Sequence, residues 1–94
     1  MAVTITAVLQ GATPEQYDQV TREGGIYPEN LPDGLIAHYA SHNDDGIRIF
    51  DVWESREQFD QFMQQLMPTF QNVLGDMPQI QPDEGQLQNV FARK

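Results

Sequence analysis

Two residues suited to proton transfer, His38 and Asp51, stand inside short apolar runs of the sequence. An imidazole can take or give a proton near working pH, and a neighbouring carboxylate can orient it or keep it protonated. Burying a histidine and an aspartate inside strands costs free energy, and a functional role would explain why that cost is accepted. We therefore predict that His38 is a general base or hydrogen-bonds a substrate, with Asp51 supporting it. The alternative is a buried polar pair whose two side chains hydrogen-bond to each other and have no functional role.

Aromatic and apolar side chains could form the walls of a pocket around this pair. Trp53 offers a flat apolar surface for an aromatic ligand, although a plain core role explains it equally well. Tyr17 and Tyr27 are phenols that could donate to a substrate oxygen, and Tyr27 lies in a loop that could act as a lid; packing is the alternative for both. Tyr39 is the poorest candidate of this kind. The candidates for the other wall of the pocket are Phe62, Met63 and Leu66.

The sequence contains none of the short motifs that mark phosphate-loop, dinucleotide, zinc-protease or serine-hydrolase sites. It has no cysteine, which excludes thiol nucleophiles, disulfides and thiolate metal sites. Two histidines, His38 and His42, cannot fill a zinc site by themselves, although carboxylates could in principle join them. We expect neither a metal nor a cofactor.

The chain has a formal charge of −9 and only five lysine and arginine residues. Nucleic acids and anionic membranes are bound through such basic residues, so neither is an expected partner. No apolar run approaches the roughly 20 residues that span a bilayer. Residues 1–10 alternate with threonine and carry no basic residue, unlike a secretory signal. The expected location is the cytoplasm.

The elements that must position these residues begin with a strand and a short helix. Residues 3–9 alternate in polarity, which is typical of a strand with one apolar face. The next residues are typical of a capped helix start: Thr13 is followed by Pro14 and, three residues after Thr13, by Gln16. Gly24-Gly25 ends this helix.

Two apolar runs, residues 35–41 and 47–53, are rich in β-branched and aromatic side chains and predict two further strands. The sequence between them contains Asp45-Gly46, a strong hairpin signal, so the strands are antiparallel neighbours. The loop is either two residues long, Asp45-Gly46, or four residues long, residues 43–46.

The loop length sets the partner of His38. The two-residue loop pairs His38 with Trp53, and the four-residue loop pairs it with Asp51. Because side chains alternate along a strand, either loop places these three residues on one face. The predicted members of that face are Ile36, His38, Ala40, Ile49, Asp51 and Trp53. The predicted members of the opposite face are Leu35, Ala37, Tyr39, Arg48, Phe50 and Val52.

A second helix carries the strongest periodic signal in the chain. Ser55 and Gln58 form a capping box at its start. Pro68 removes one helical hydrogen bond, so a kink or a restart is expected there, and Gly75 closes the helix. Its apolar stripe consists of Phe59, Phe62, Met63, Leu66, Met67 and Phe70.

The end of the chain adds a weak strand at residues 79–81 and a better one at residues 87–92. The resulting order, β-α-β-β-α-β, is the split βαβ or ferredoxin-like arrangement. We therefore predict a single domain, residues 1–94, of the α+β class. It has an antiparallel sheet with both helices on one face.

Both faces of the predicted sheet are largely apolar, but the two helices can cover only one. A chain of 94 residues also buries only about 60–70% of the surface that its unfolded form exposes. Exposed apolar patches of this size usually mark an interface. We therefore expect a homodimer.

The strand-to-helix run IRIFDVWESREQF, residues 47–59, resembles the signature of the antibiotic-biosynthesis-monooxygenase-like proteins. The run PDGLIAH, residues 32–38, and the helix containing Tyr17-Asp18 are also similar to small members of that family. The likeness spans about residues 17–91. It implies a dimeric α+β barrel, in which two sheets associate with the helices outside and a pocket lies in each monomer between helices and sheet.

The family contains cofactor-independent oxygenases of aromatic polyketides and haem-degrading oxygenases, and related dimeric barrels cyclise polyketides. The tryptophan of the Trp-Glu-Ser run lines the pocket in several members, which implies this role for Trp53. Haem-degrading members ligate iron through a histidine on the second helix, and no histidine lies between Ser55 and Gly75.

The resemblance therefore implies a cofactor-independent monooxygenase-like enzyme for an apolar aromatic or polyketide-type substrate. The alternatives are a polyketide cyclase or isomerase, and a module that binds a ligand without turnover. An open, dry cavity beside His38 and Trp53 would favour a ligand, and a fully packed interior would favour a structural role.

Overall fold

The computed structural model describes residues 2–75, 83–89 and 91, which contain four strands and two helices. The strands are β1 (Val3–Gln10), β2 (Leu35–Asn43), β3 (Gly46–Trp53) and β4 (Asp83–Gln86). The helices are α1 (Pro14–Glu23) and α2 (Arg56–Leu74). The strands form one antiparallel sheet in the order β2-β3-β1-β4. This confirms the predicted βαββαβ, ferredoxin-like α+β fold.

Both helices begin at the predicted caps. The Thr13 hydroxyl accepts from the Gln16 backbone N–H, while the Gln16 side chain accepts from the Thr13 N–H. The Ser55 hydroxyl caps α2 by accepting from the Gln58 backbone N–H. The predicted capping box there is only half formed, because the Gln58 side chain accepts from the Ser55 hydroxyl and not from the Ser55 backbone N–H. The expected restart at Pro68 is wrong, because α2 continues through it as one helix. Buried Leu66 and Phe70 on either side hold that segment against the core.

The hairpin register is the one predicted from the longer loop. Asn43 pairs with Gly46 and His38 with Asp51, leaving two residues in the turn. The alternative, with Gly46 in a two-residue turn, is wrong. Gly46 is needed inside β3, because it has φ +140° and a Cβ there would collide with the Leu9 carbonyl oxygen of β1.

A β-bulge at the start of β2 changes the predicted faces. Leu35 pairs with Trp53 and Ala37 with Val52, so Ile36 is the extra residue. Leu35 therefore packs on the Trp53 side, while Ile36 is 47% exposed. The predicted faces of Leu35 and Ile36 are wrong, since one inserted residue reverses the alternation before it. From His38 onward the predicted faces are correct.

The final strand lies earlier than predicted. β4 pairs with β1 over residues 83–86. Residues 87–89 and 91, which are the described part of the strand predicted at 87–92, are not in a strand, so that prediction is wrong for them. The weak strand predicted at residues 79–81 lies outside the described residues. β4 has a polar sequence; it is held by backbone pairing with β1 and by an ion pair between Arg56 and Glu84. Apolar patterning therefore could not locate it.

The core lies between the inner face of the sheet and the two helices. One cluster of buried residues contains Leu9, Ala12, Val20, Ile47, Leu66 and Phe70. A second contains Ile5, Trp53 and Phe59. On the outer face, Ile36, Tyr39 and Phe50 are exposed. Among the described residues, no helix combines the length and apolar character needed to cross a membrane.

Candidate functional site

A cavity of about 60 Å³ lies between the helices and the inner face of the sheet. Within the described part of the chain its walls are almost entirely apolar. Three residues with ionisable side chains, Tyr17, His38 and Asp51, line it, one each from α1, β2 and β3. All three are joined by hydrogen bonds, so the polar groups form one cluster in an otherwise apolar space.

His38 and Asp51 form the centre of this cluster. They face each other at a paired position of β2 and β3, with His38 Nδ1 2.5 Å from Asp51 Oδ1. Asp51 is 7% exposed, whereas the His38 side chain retains some access to solvent. A carboxylate can only accept, so we assign the imidazole proton to Nδ1, which leaves Nε2 as an acceptor.

The second oxygen of Asp51 is also occupied. The indole Nε1–H of Trp53 donates to Asp51 Oδ2 at 3.2 Å. Trp53 is completely buried, and its ring contacts Phe59 edge-on and Phe62 at a tilt. The carboxylate thus receives two N–H donors, which offsets the cost of burying it.

Tyr17 completes the cluster from the helical side. Its hydroxyl lies 2.6 Å from His38 Nε2, and the two rings are parallel within 5° with centroids 6.0 Å apart. Burial, and to a smaller extent the charges of Asp51 and Asp18, raise the pKa of the Tyr17 phenol. Tyr17 therefore keeps its proton at neutral pH and donates it to the free lone pair of Nε2.

Local features of the sequence position each member of the cluster. The Thr13 cap fixes the start of α1 and thereby places Tyr17 in its first turn. Asp51 and Trp53 are two residues apart on β3, so their side chains lie on the same face. The register of the hairpin then places His38 opposite Asp51.

The structure brings most of the predicted site residues to one cavity. Tyr17, His38, Asp51 and Trp53 line it, as do the α2 residues Phe62, Met63 and Leu66. Tyr27 does not line it; that residue is 43% exposed and pairs with Asn30 in the loop after α1.

Three features of the site were not anticipated from the sequence. The Tyr17–His38 hydrogen bond depends on how α1 packs over the sheet, which no local pattern encodes. Leu35 reaches the cavity wall only because of the bulge. The hydrogen bond between Trp53 and Asp51 could have been predicted from the sequence, since residues two apart on a strand share a face.

The described residues contain no cluster of three or more histidine, aspartate or glutamate side chains suited to a metal ion. The cluster does have the groups that proton transfer requires. The Nε2 atom of His38 is a basic atom at the wall of an apolar cavity, and the buried carboxylate behind it would stabilise an imidazolium if Nε2 took a proton.

No protein-family model and no curated protein matches this sequence. Solved structures do match it over nearly its whole length. SnoaB, a cofactor-independent oxygenase from Streptomyces nogalater, has a TM-score of 0.65 at 11% identity, covering 98% of this chain and 97% of SnoaB. A Chloroflexus aurantiacus protein assigned as an antibiotic biosynthesis monooxygenase has a TM-score of 0.70 at 16% identity, covering 98% of both chains.

This chain has the fold of the antibiotic-biosynthesis-monooxygenase-like proteins. A dimeric ferredoxin-like protein of unknown function from Thermobifida fusca is also similar, with a TM-score of 0.61 at 13% identity over 93% of this chain and 92% of that chain. At identities this low, the likeness to monooxygenase-like proteins establishes the fold alone. The expected resemblance is confirmed at that level.

Proposed function

We propose that the protein is a cofactor-independent monooxygenase-like enzyme in which His38 Nε2 removes a proton from an apolar aromatic or polyketide-type substrate. One observation carries this proposal: the hydrogen bond from His38 Nδ1 to buried Asp51 leaves Nε2 as the basic atom at the cavity wall. The description of SnoaB as a cofactor-independent oxygenase supports it on the same fold.

The proposed reaction uses the electrons of the substrate. The activated CH₂ group reacts as its enol tautomer. His38 takes the proton of the enol hydroxyl, and the enolate carbon reacts with dioxygen to form a C–O bond and a peroxide anion. His38 returns its proton to the peroxide, and loss of water leaves a carbonyl group. The balance is R₂CH₂ + O₂ → R₂C=O + H₂O, with dioxygen as the oxidant.

The surroundings of His38 suit this chemistry. The apolar walls exclude water and strengthen the interaction between the imidazolium and a substrate anion. Asp51 holds the imidazole in one orientation and stabilises its charged form. Trp53, Phe62 and Met63 supply a broad apolar surface against which an aromatic ring can pack.

A ligand-binding module without turnover is the second candidate. The cavity of about 60 Å³ is small, and within the described residues no buried side-chain nitrogen or oxygen lacks a hydrogen-bond partner. A cyclase or isomerase would use the same proton transfer without consuming dioxygen, so the product distinguishes it.

We also propose that the protein is a homodimer that buries the outer face of the sheet. Ile36, Tyr39 and Phe50 are 47%, 55% and 41% exposed there, and the last two rings contact each other. Exposed aromatic and aliphatic side chains grouped in this way are typical of an interface. The similar protein from Thermobifida fusca is described as dimeric.

Anthrone is a suitable test substrate, because it is an apolar tricyclic carbon acid whose enol tautomer is a phenol. We expect the wild-type protein to accelerate dioxygen uptake and anthraquinone formation above the rate in buffer. A His38→Ala variant should lose about 10²–10⁴-fold of that acceleration, the usual contribution of a general base.

His42→Ala is the matched control, since His42 is the other histidine of the chain and is exposed near the end of β2. It should retain the wild-type rate. Tight binding of anthrone by the wild type without dioxygen uptake would support the binding module instead. Equal rates for the wild type and His38→Ala would refute the role of His38.

A further inference from the structure

The size of the cavity limits what can enter it. An apolar protein cavity of about 150 Å³ accommodates benzene, whereas the cavity here measures about 60 Å³. An aromatic ring therefore cannot bind unless a side chain of the wall moves.

The wall residue best placed to move is Tyr17. Trp53, Phe59 and Leu66 are buried within the core clusters, so displacing them would disrupt apolar packing. Tyr17 is only partly buried, packs against the edge of the core from α1, and bonds to His38, whose side chain retains some exposure. Among the described residues, its bond to His38 is the only side-chain hydrogen bond that links α1 to the sheet.

Tyr17 also blocks the atom that a substrate must reach. Its hydroxyl occupies the acceptor lone pair of His38 Nε2 at 2.6 Å, and no second lone pair exists on that nitrogen. A substrate cannot give a proton to Nε2 while the Tyr17 hydroxyl is bound there.

We propose that Tyr17 is a placeholder that a ligand displaces, so that a phenolic or enolic hydroxyl of the ligand takes the position of the Tyr17 hydroxyl on His38 Nε2. This inference rests on the proposed role of His38 as the proton acceptor. It narrows the ligand class to apolar, mainly aromatic molecules with a hydroxyl at one end. Every other wall of the cavity is apolar, and both oxygens of Asp51 already have donors.

If Tyr17 is a placeholder, the Tyr17→Phe substitution should raise the affinity for a ligand. The variant keeps the ring and its packing but has no hydrogen bond to break when a ligand enters. Ligand affinity should therefore rise by roughly 3- to 10-fold, the range that one net hydrogen bond supplies. If Tyr17 instead donated to a bound ligand, the same substitution would lower affinity.

Phenol and toluene are the probes, because they have nearly the same shape and only phenol carries a hydroxyl. Trp53 is the only tryptophan and lines the cavity, so its fluorescence reports binding directly. Tyr39→Phe is the matched control, since it deletes the same hydroxyl from an exposed tyrosine on the outer face. Circular dichroism spectra would check that each variant is folded.

We expect Tyr17→Phe to bind both probes more tightly than the wild type, and Tyr39→Phe to match the wild type. Unchanged or weaker binding to Tyr17→Phe would overturn the proposal, as would the absence of binding of either probe to any of the three proteins. A different result would refute the proposed function. In that case, dioxygen uptake in the presence of anthrone would proceed at the same rate with the wild type and with His38→Ala.

Discussion

His38 Nδ1 lies 2.5 Å from Asp51 Oδ1 across a directly paired position of β2 and β3. Because backbone pairing sets the positions of both residues, the imidazole is held in one tautomer with Nε2 as its acceptor. Trp53 occupies the other oxygen of Asp51 and prevents the carboxylate from turning away. The proposed chemistry depends on this fixed orientation.

Replacing Asp51 with asparagine should reverse the tautomer. The asparagine amide can donate to Nδ1, which would move the ring proton to Nε2 and remove the basic atom from the cavity wall. We expect anthrone oxidation to fall by about 10²–10⁴-fold. Nitrogen-15 NMR of the imidazole should show Nε2 protonated in Asp51→Asn and unprotonated in the wild type. Asp45→Asn, at an exposed turn position, is the control; identical ring spectra for Asp51→Asn and the wild type would contradict the assignment.

Replacing Trp53 with phenylalanine should destabilise the protein. The variant leaves Asp51 Oδ2 buried without its donor, which costs about 1–3 kcal/mol, and it also loses ring contacts with Phe59 and Phe62. Urea denaturation followed by circular dichroism measures the free energy of unfolding. Tyr27→Phe, at an exposed loop position, should change it by less than about 0.5 kcal/mol. If Trp53→Phe also changed the free energy of unfolding by less than about 0.5 kcal/mol, the indole hydrogen bond would contribute nothing to stability.

The raised pKa of Tyr17 should make stability depend on alkaline pH. Unfolded tyrosine titrates near 10.0, and burial raises the value for folded Tyr17 above this. Between these two values the folded state binds more protons, so the free energy of unfolding falls as pH rises above 10 and is unaffected by Tyr17 below it. Tyr17→Phe should show a shallower decline. The difference in ultraviolet absorbance between wild type and variant gives the Tyr17 titration, and a midpoint at or below 10 would be inconsistent with its environment.

The sequence predicted most of the fold because its signals are local. The Thr13 and Ser55 caps mark where the helices start, and the hairpin pattern placed His38 and Asp51 on one face under either loop length. The exact register required knowing that Gly46 is needed against β1, which is a tertiary constraint. The bulge at Ile36 and the position of β4 also depend on neighbouring strands, and so they were mispredicted.

The candidate site was predictable only in part, for a related reason. His38, Asp51 and Trp53 come from one hairpin, and their shared face follows from strand alternation. Tyr17 comes from a different element, and its contact with His38 depends on the packing of α1 over the sheet. Sequence patterning therefore identified Tyr17 as a candidate phenol but not its hydrogen-bond partner.

The proposed dimer predicts that a charge on the outer face will separate the subunits. Phe50→Glu should shift sedimentation equilibrium from dimer to monomer, because it buries a carboxylate in an apolar interface. Gln64→Glu on the exposed side of α2 adds the same charge elsewhere and should leave the dimer intact. A wild-type protein that remains a folded monomer at high micromolar concentration would rule out the dimer.

Transfer of a proton from a ligand hydroxyl to His38 can be observed directly with 4-nitrophenol, whose phenolate absorbs visible light. At a fixed pH where the free compound is mainly protonated, the wild-type protein should increase the phenolate band in proportion to the bound fraction, and His38→Ala should not. Binding of 4-nitrophenol to the wild type without an increase in this band, or an equal increase with both proteins, would show that His38 does not accept the proton of the ligand hydroxyl.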